Sequence, residues 1–197
     1  MKRSFMCLLI VLAGVLLISA CGTLGSVGSM FGIEQKNFVF TSLPKNVADL
    51  NARPEVAMTT PYMTAALTVA VLCNYGDDPD ATVEMLNVLK GPQPLSNRDI
   101  INLRDRLRGK AYKPFSFFDG ATPQNDYRPI QPYRITVEEQ SNSFKEENYA
   151  TLYLKSGGAD SSRPIKMRKQ PSSGKWFLYE EFILPDIRTP NSMNPWN

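Results

Sequence analysis

The chain of 197 residues contains no histidine. That absence removes imidazole-activated serine and cysteine nucleophiles, and every metal site built on a histidine ligand. Cysteine is scarce as well: there are three, Cys7, Cys21 and Cys73, too few for a thiolate zinc or iron–sulfur centre. No glycine-rich loop of the P-loop or dinucleotide type is present; "SGGAD" at residues 156–160 has neither the spacing nor the following helix. Charge of one sign is also lacking, with 22 Lys and Arg against 19 Asp and Glu. Nucleic acid is therefore not an expected partner. Nothing in the sequence calls for a cofactor or a metal. The leading apolar run, residues 5–18, is shorter than the ~20 residues that span a bilayer.

What is there begins with an address. Lys2 and Arg3 precede the apolar run, which closes on Ile18-Ser19-Ala20-Cys21. Charge, length and small residues make an export signal, and the cysteine makes the close resemble a bacterial lipobox. The resemblance implies a diacylglyceryl group on Cys21, cleavage before it, and attachment to a membrane. Two or three acyl chains make such an anchor stable, at about 0.8 kcal/mol per buried CH₂. Loss of Lys2 and Arg3 with the signal lowers the net charge from +3 to +1. The expected location is the cell envelope, with the folded part outside the cytoplasm. Where a cell has two membranes, the absence of Asp at position 22 points to the outer one.

Residues 1–20 are thus read as signal peptide, 21–40 as a Gly- and Ser-rich tether, and 41–197 as one domain. Its first half predicts three helices. Thr60 caps the first, Pro61 opens it and Gly76 stops it; Asp78, Pro79 and Gly91 do the same for the second. Ser96 and Asp99 form a capping box for the third. The first is apolar almost all round and should be the central helix. Thr82, Met85, Leu86 and Leu89 make one inward face, and Ile100, Leu103 and Leu107 another. Four arginines of the third helix, Arg98, Arg104, Arg106 and Arg108, are left mostly for solvent. Alternating patterns in the second half predict about four strands, at "YRITVEE", "NYATLYLK", "IKMRK" and "KWFLYEEFIL", joined as a meander. Helices first and strands later argue for an α+β fold, about three helices on a curved antiparallel sheet. Trp176 and Leu178 are expected to pack against the central helix around Leu67 and Val71. Cys73, in "TVAVLC", reads as a buried and inert thiol.

Two irregular stretches attract a functional reading. Residues 112–133 mix aromatics and prolines, and Phe117, Phe118, Asn125 and Tyr127 pair bulk with polarity as recognition surfaces do. Residues 156–164 carry Asp160, Ser161 and Arg163, with Arg163 placed to neutralise either Asp160 or the acidic end of the Asp119–Asp126 run. The two stretches are expected to lie close together. Ordinary structure is the first account of both: aromatics closing the end of a core, and a polar turn. Glu139 and Glu181 are the carboxylates available to a histidine-free hydrolase.

The runs "GATPQNDYRP" (residues 120–129), "SGGADSSRPIKMR" (156–168) and "WFLYEEFILPDIRTP" (176–190) resemble a bacterial domain family of unknown function found in exported proteins. The likeness runs from about Pro61 to Trp196 and implies no activity. The order of elements is also similar to that of cystatin-like and nuclear-transport-factor-like domains, which implies a pocket between helix and sheet. The expected role is a non-catalytic binding module whose partner is an envelope protein or a small ligand. The alternatives are a small-ligand domain of that cone-shaped kind and a carboxylate-dependent hydrolase of envelope polymers.

Overall fold

The structure, a computed structural model, describes residues 34–196. The signal sequence and Cys21 lie outside the described residues. Five antiparallel strands form one open sheet in sequence order: β1 (Gln35–Phe40), β2 (Tyr133–Glu138), β3 (Tyr149–Leu154), β4 (Arg163–Lys169) and β5 (Trp176–Glu181). Between β1 and β2 run α1 (Val47–Asn51), α2 (Pro61–Leu72), α3 (Pro79–Lys90) and α4 (Asn97–Leu107). The fold is α+β, with three longer helices where three were expected. The short α1 and the strand β1 are additional, and β1 occupies residues 35–40, at the end of the stretch that the sequence reads as tether.

The helix ends follow from local chemistry. Thr60 accepts from the backbone N–H of Met63 and Asp78 from that of Ala81, each with a proline next in the chain. Ser96 and Asp99 make a reciprocal capping box. These side chains satisfy amide donors that a helix leaves unpaired at its start. α2 buries every residue except Met63 and continues through a 3₁₀ turn at Cys73–Gly76. It packs along the sheet, touching all five strands. The sheet's inner face supplies Phe40, Ile135, Val137, Leu152, Ile165 and Met167, each at 2 % exposure or less. At about 1.5–3 kcal/mol per large apolar side chain, this two-layer contact dominates the fold's stability.

β5 is held to α2 through its main chain. The Thr64 hydroxyl donates to the Trp176 carbonyl at 2.6 Å, and the Trp176 N–H donates to the Met58 carbonyl at 2.8 Å. Leu178 is buried as expected, but the Trp176 ring is only half-buried and meets Phe144 edge to face. A register shift at Lys166/Met167 interrupts the β4–β5 ladder, and Glu181 ends up opposite the inward-facing Ile165. Cys73 is buried, and burial pushes its thiol pKa well up, so it is an unreactive core residue. Among the described residues no helix is long and apolar enough to cross a membrane.

Candidate functional site

The two irregular stretches do meet, but as structure rather than as a presented surface. Phe117, Phe118 and Tyr127 are buried in the core, which corrects their reading as contact residues. Tyr127 stacks on Tyr112 with centroids 5.4 Å apart, and its hydroxyl donates to the Arg188 carbonyl at 2.7 Å. Burial raises its pKa to about 12. Asn125 is exposed, yet its side chain is fully engaged. Its amide donates to the carbonyls of Gly120 and Arg128, and its oxygen accepts from the N–H of Thr122 and Arg128. Gly157 donates its N–H to the Ser116 carbonyl at 2.8 Å. A Cβ at Gly157 would collide with the Ala121 carbonyl, and one at Gly158 with the Tyr127 hydroxyl. The two motifs are specific because each is the other's packing partner.

The expected Asp160–Arg163 pair is replaced by two others. Asp160 pairs with Arg188, whereas Arg163 donates to the Asp186 carbonyl at 3.1 Å and lies 4.0 Å from its carboxylate. Ser161 is exposed beside them. The C-terminal segment thus ties both stretches down; Ser192 also donates to Asp126 and holds that carboxyl below its ordinary range.

Glu139 and Glu181 cannot act as a pair. Three inter-strand spacings separate β2 from β5, about 14 Å, whereas glycosidase carboxylates stand about 5–9.5 Å apart. Burial raises the pKa of both, but they belong to different places.

A concavity follows the edge of the sheet at β5. It has two chambers, and both are lined by Lys90, Leu178 and Tyr179. The inner chamber, about 210 Å³, lies between α3, α4 and β5. Its wall includes Leu72, Leu86, Leu95, Leu103 and Leu178, with Arg106, Asp99, Asn102, Glu180 and Glu181 at the polar side. The outer chamber, about 230 Å³, lies between the turn after α3 and the β4–β5 hairpin. Phe177 and Tyr179 supply its rings, and Lys90, Arg168 and Lys169 its charges. Lys90 stands between the chambers, its ammonium donating to the Tyr179 carbonyl at 3.0 Å.

Local sequence explains how these side chains arrive. Lys90 is the last residue of α3, where a cation is favoured by the helix dipole. Gly91 follows with a φ of +58°, and the Phe177 ring occupies the space a side chain there would need. On α4 only Leu103 and Leu107 are buried, and Arg106 lies beside that stripe. It donates to Glu181 at 2.9 Å. The Glu181 side chain is only 18 % exposed, and burial raises its pKa despite Arg106 and the N–H of Ile183. Asp99 is the opposite case, held low mainly by the Ser96 hydroxyl. Sequence reading left Arg106 in solvent and did not assemble Lys90, Arg168 and Lys169. The one local signal was the position of Arg106 three residues after Leu103, on the flank of the buried face.

A model of the family described as a domain of unknown function (DUF6935) matches residues 42–191, from just after β1 to the C-terminal 3₁₀ turn. No curated protein and no solved structure matches the chain, so the likeness to cone-shaped folds remains one of element order. With its helices, β2–β5 and the tied-down C-terminal segment all inside the matched span, the chain belongs to the DUF6935 family.

Proposed function

We propose that this protein is a lipid-anchored component of the bacterial cell envelope whose domain binds a small ligand in the cleft beside β5. The observation that carries the binding reading is the pair of adjoining chambers with apolar walls and a few convergent polar groups, the usual composition of a ligand site. The anchor rests on Ile18-Ser19-Ala20-Cys21. In this reading Cys21 carries the acyl chains, the chain between it and β1 spaces the domain from the bilayer, and the cleft samples the periplasmic or extracellular medium. Arg106 and Glu181 fix α4 over the inner chamber. No covalent chemistry is assigned, because the cleft offers no activated nucleophile and its carboxylates Asp99 and Glu181 are each held by a partner of their own, Ser96 and Arg106.

Two measurements test it. Intact mass of the purified protein should show an acylated N-terminus at Cys21, and Cys21→Ser should leave an unprocessed precursor. A mature N-terminus at any other residue removes the anchor. Fragment screening by NMR should give shifts clustered on Lys90, Leu178 and Tyr179; hits confined to other surfaces remove the cleft.

A further inference from the structure

We propose that the ligand of this cleft is a small amphiphilic organic anion, with its carboxylate or phosphate in the outer chamber and its apolar body directed past Tyr179 to the inner one. This rests on the cleft reading and adds its chemical class. Lys90, Arg168 and Lys169 all line the outer chamber, and no carboxylate does. None of the three forms an ion pair among the described residues. Their partners are weak or neutral ones. Lys90 donates to a carbonyl. The Arg168 guanidinium lies 5.6 Å from the Tyr149 ring centroid, and the Lys169 ammonium 5.8 Å from that of Trp176. Nearby Lys166, which does not line the chamber, has both kinds of partner: the Tyr149 ring at 4.5 Å and the Glu146 carboxylate at 2.7 Å. Three cations with no carboxylate in the same chamber leave a local positive potential, moderated at Lys90 by Asp99 of the adjoining one, which an incoming anion would relieve.

The inner chamber differs in kind. Two of its carboxylates are engaged, Glu181 with Arg106 and Asp99 with Ser96, and Glu180 lines it as well. Its five leucines can receive an apolar body, and its carboxylates Asp99, Glu180 and Glu181 disfavour a second anion there. Both chambers fall below the ~300–1,000 Å³ of a drug-sized site. That limits the body to one short chain or ring and excludes two-tailed lipids from full entry. Swinging the Lys90 ammonium from the Tyr179 carbonyl to the ligand's head would join the two chambers.

The test is calorimetry on the full lipidated chain in phosphatidylcholine nanodiscs, with empty discs as the blank and octanoate, octanamide and octylamine as probes at neutral pH. Octanoate should bind at least tenfold more tightly than either of the others. The double variant Arg168→Gln with Lys169→Gln should lose that preference while its circular dichroism melt stays with the parent. Equal binding of octanoate and octanamide overturns the anion class and leaves the cleft reading standing. A preference that survives in the folded double variant overturns the outer chamber as the seat of the charge. No binding of any probe overturns the anion class as well; the cleft reading is then judged by the fragment shifts. Repeating the titration in discs containing phosphatidylglycerol separates the sources of the same chemistry. Unchanged octanoate binding assigns the site to a free anion, and competition by the discs assigns it to a lipid headgroup.

Discussion

Arg106 and Glu181, 75 residues apart in sequence, meet at 2.9 Å where α4 crosses the end of β5. The pair joins the least buried of the longer helices to the sheet. Yet the Glu181 pKa is raised, because the loss of water outweighs the nearby guanidinium. A carboxyl whose folded pKa lies above its unfolded value binds its proton more tightly in the native state. Its contribution is therefore fully present below the unfolded pKa and is lost as pH rises through the folded one. Glu181→Gln should melt with the parent near pH 4, where both side chains are neutral. It should become the more stable of the two as pH rises toward 7. A difference that is constant across thermal melts in that window, or that runs the other way, contradicts this account of the pair.

Gly158→Ala should destabilise the protein by about 1–3 kcal/mol, the usual cost of forcing an extra carbon into a packed region. The new methyl has to displace the Tyr127 hydroxyl or the Ile187 side chain. Denaturant titration gives the number. Gly174→Ala has open space around it but a φ of +71°, so it measures the backbone cost of a side chain apart from crowding.

Tyr127→Phe removes only the hydroxyl that donates to Arg188. The expected cost is about 0.5–1.5 kcal/mol, the net worth of one hydrogen bond. Tyr127→Ala also deletes the buried ring and should cost about 3–5 kcal/mol. If both variants melt together, the ring contributes nothing beyond its hydroxyl and its place in the core is wrong.

On β5, Leu178→Ala should cost about 2–5 kcal/mol, as expected of a buried leucine. Trp176→Ala should cost less, because its ring is half-exposed and the contacts of Trp176 with Met58 and Thr64 run through the backbone. The order of the two midpoints in urea decides this.

What was readable beforehand follows the range of the interactions involved. Helix starts are decided within four residues, so Thr60, Asp78 and Ser96 announced themselves. Strand periodicity is equally local, and it placed Leu152, Ile165 and Leu178 inward. β1 escaped because its residues alternate only weakly, and its six-residue ladder with β2 needs partners about a hundred positions away. The same holds for the cleft: Lys90 sits on α3 and Arg168 on β4, and no spacing in the chain relates them. Phe117, Phe118 and Tyr127 misled for a different reason. Their neighbours are turn-forming, and a loop that carries core side chains looks in sequence like a loop that carries a ligand.

The pairing of β1 with β2 also orders events in time. β2 to β5 follow one another along the chain, so that meander can form from its own short connections once it emerges. Closing Gln35 onto Glu138 must wait for every helix in between, and contacts of such separation form slowly. A chain delivered N-terminus first therefore offers β1 long before anything can receive it. The strand nearest the proposed anchor is thus expected to join the sheet last, leaving Phe40 and the flank of Ile135 open to other chains until it does.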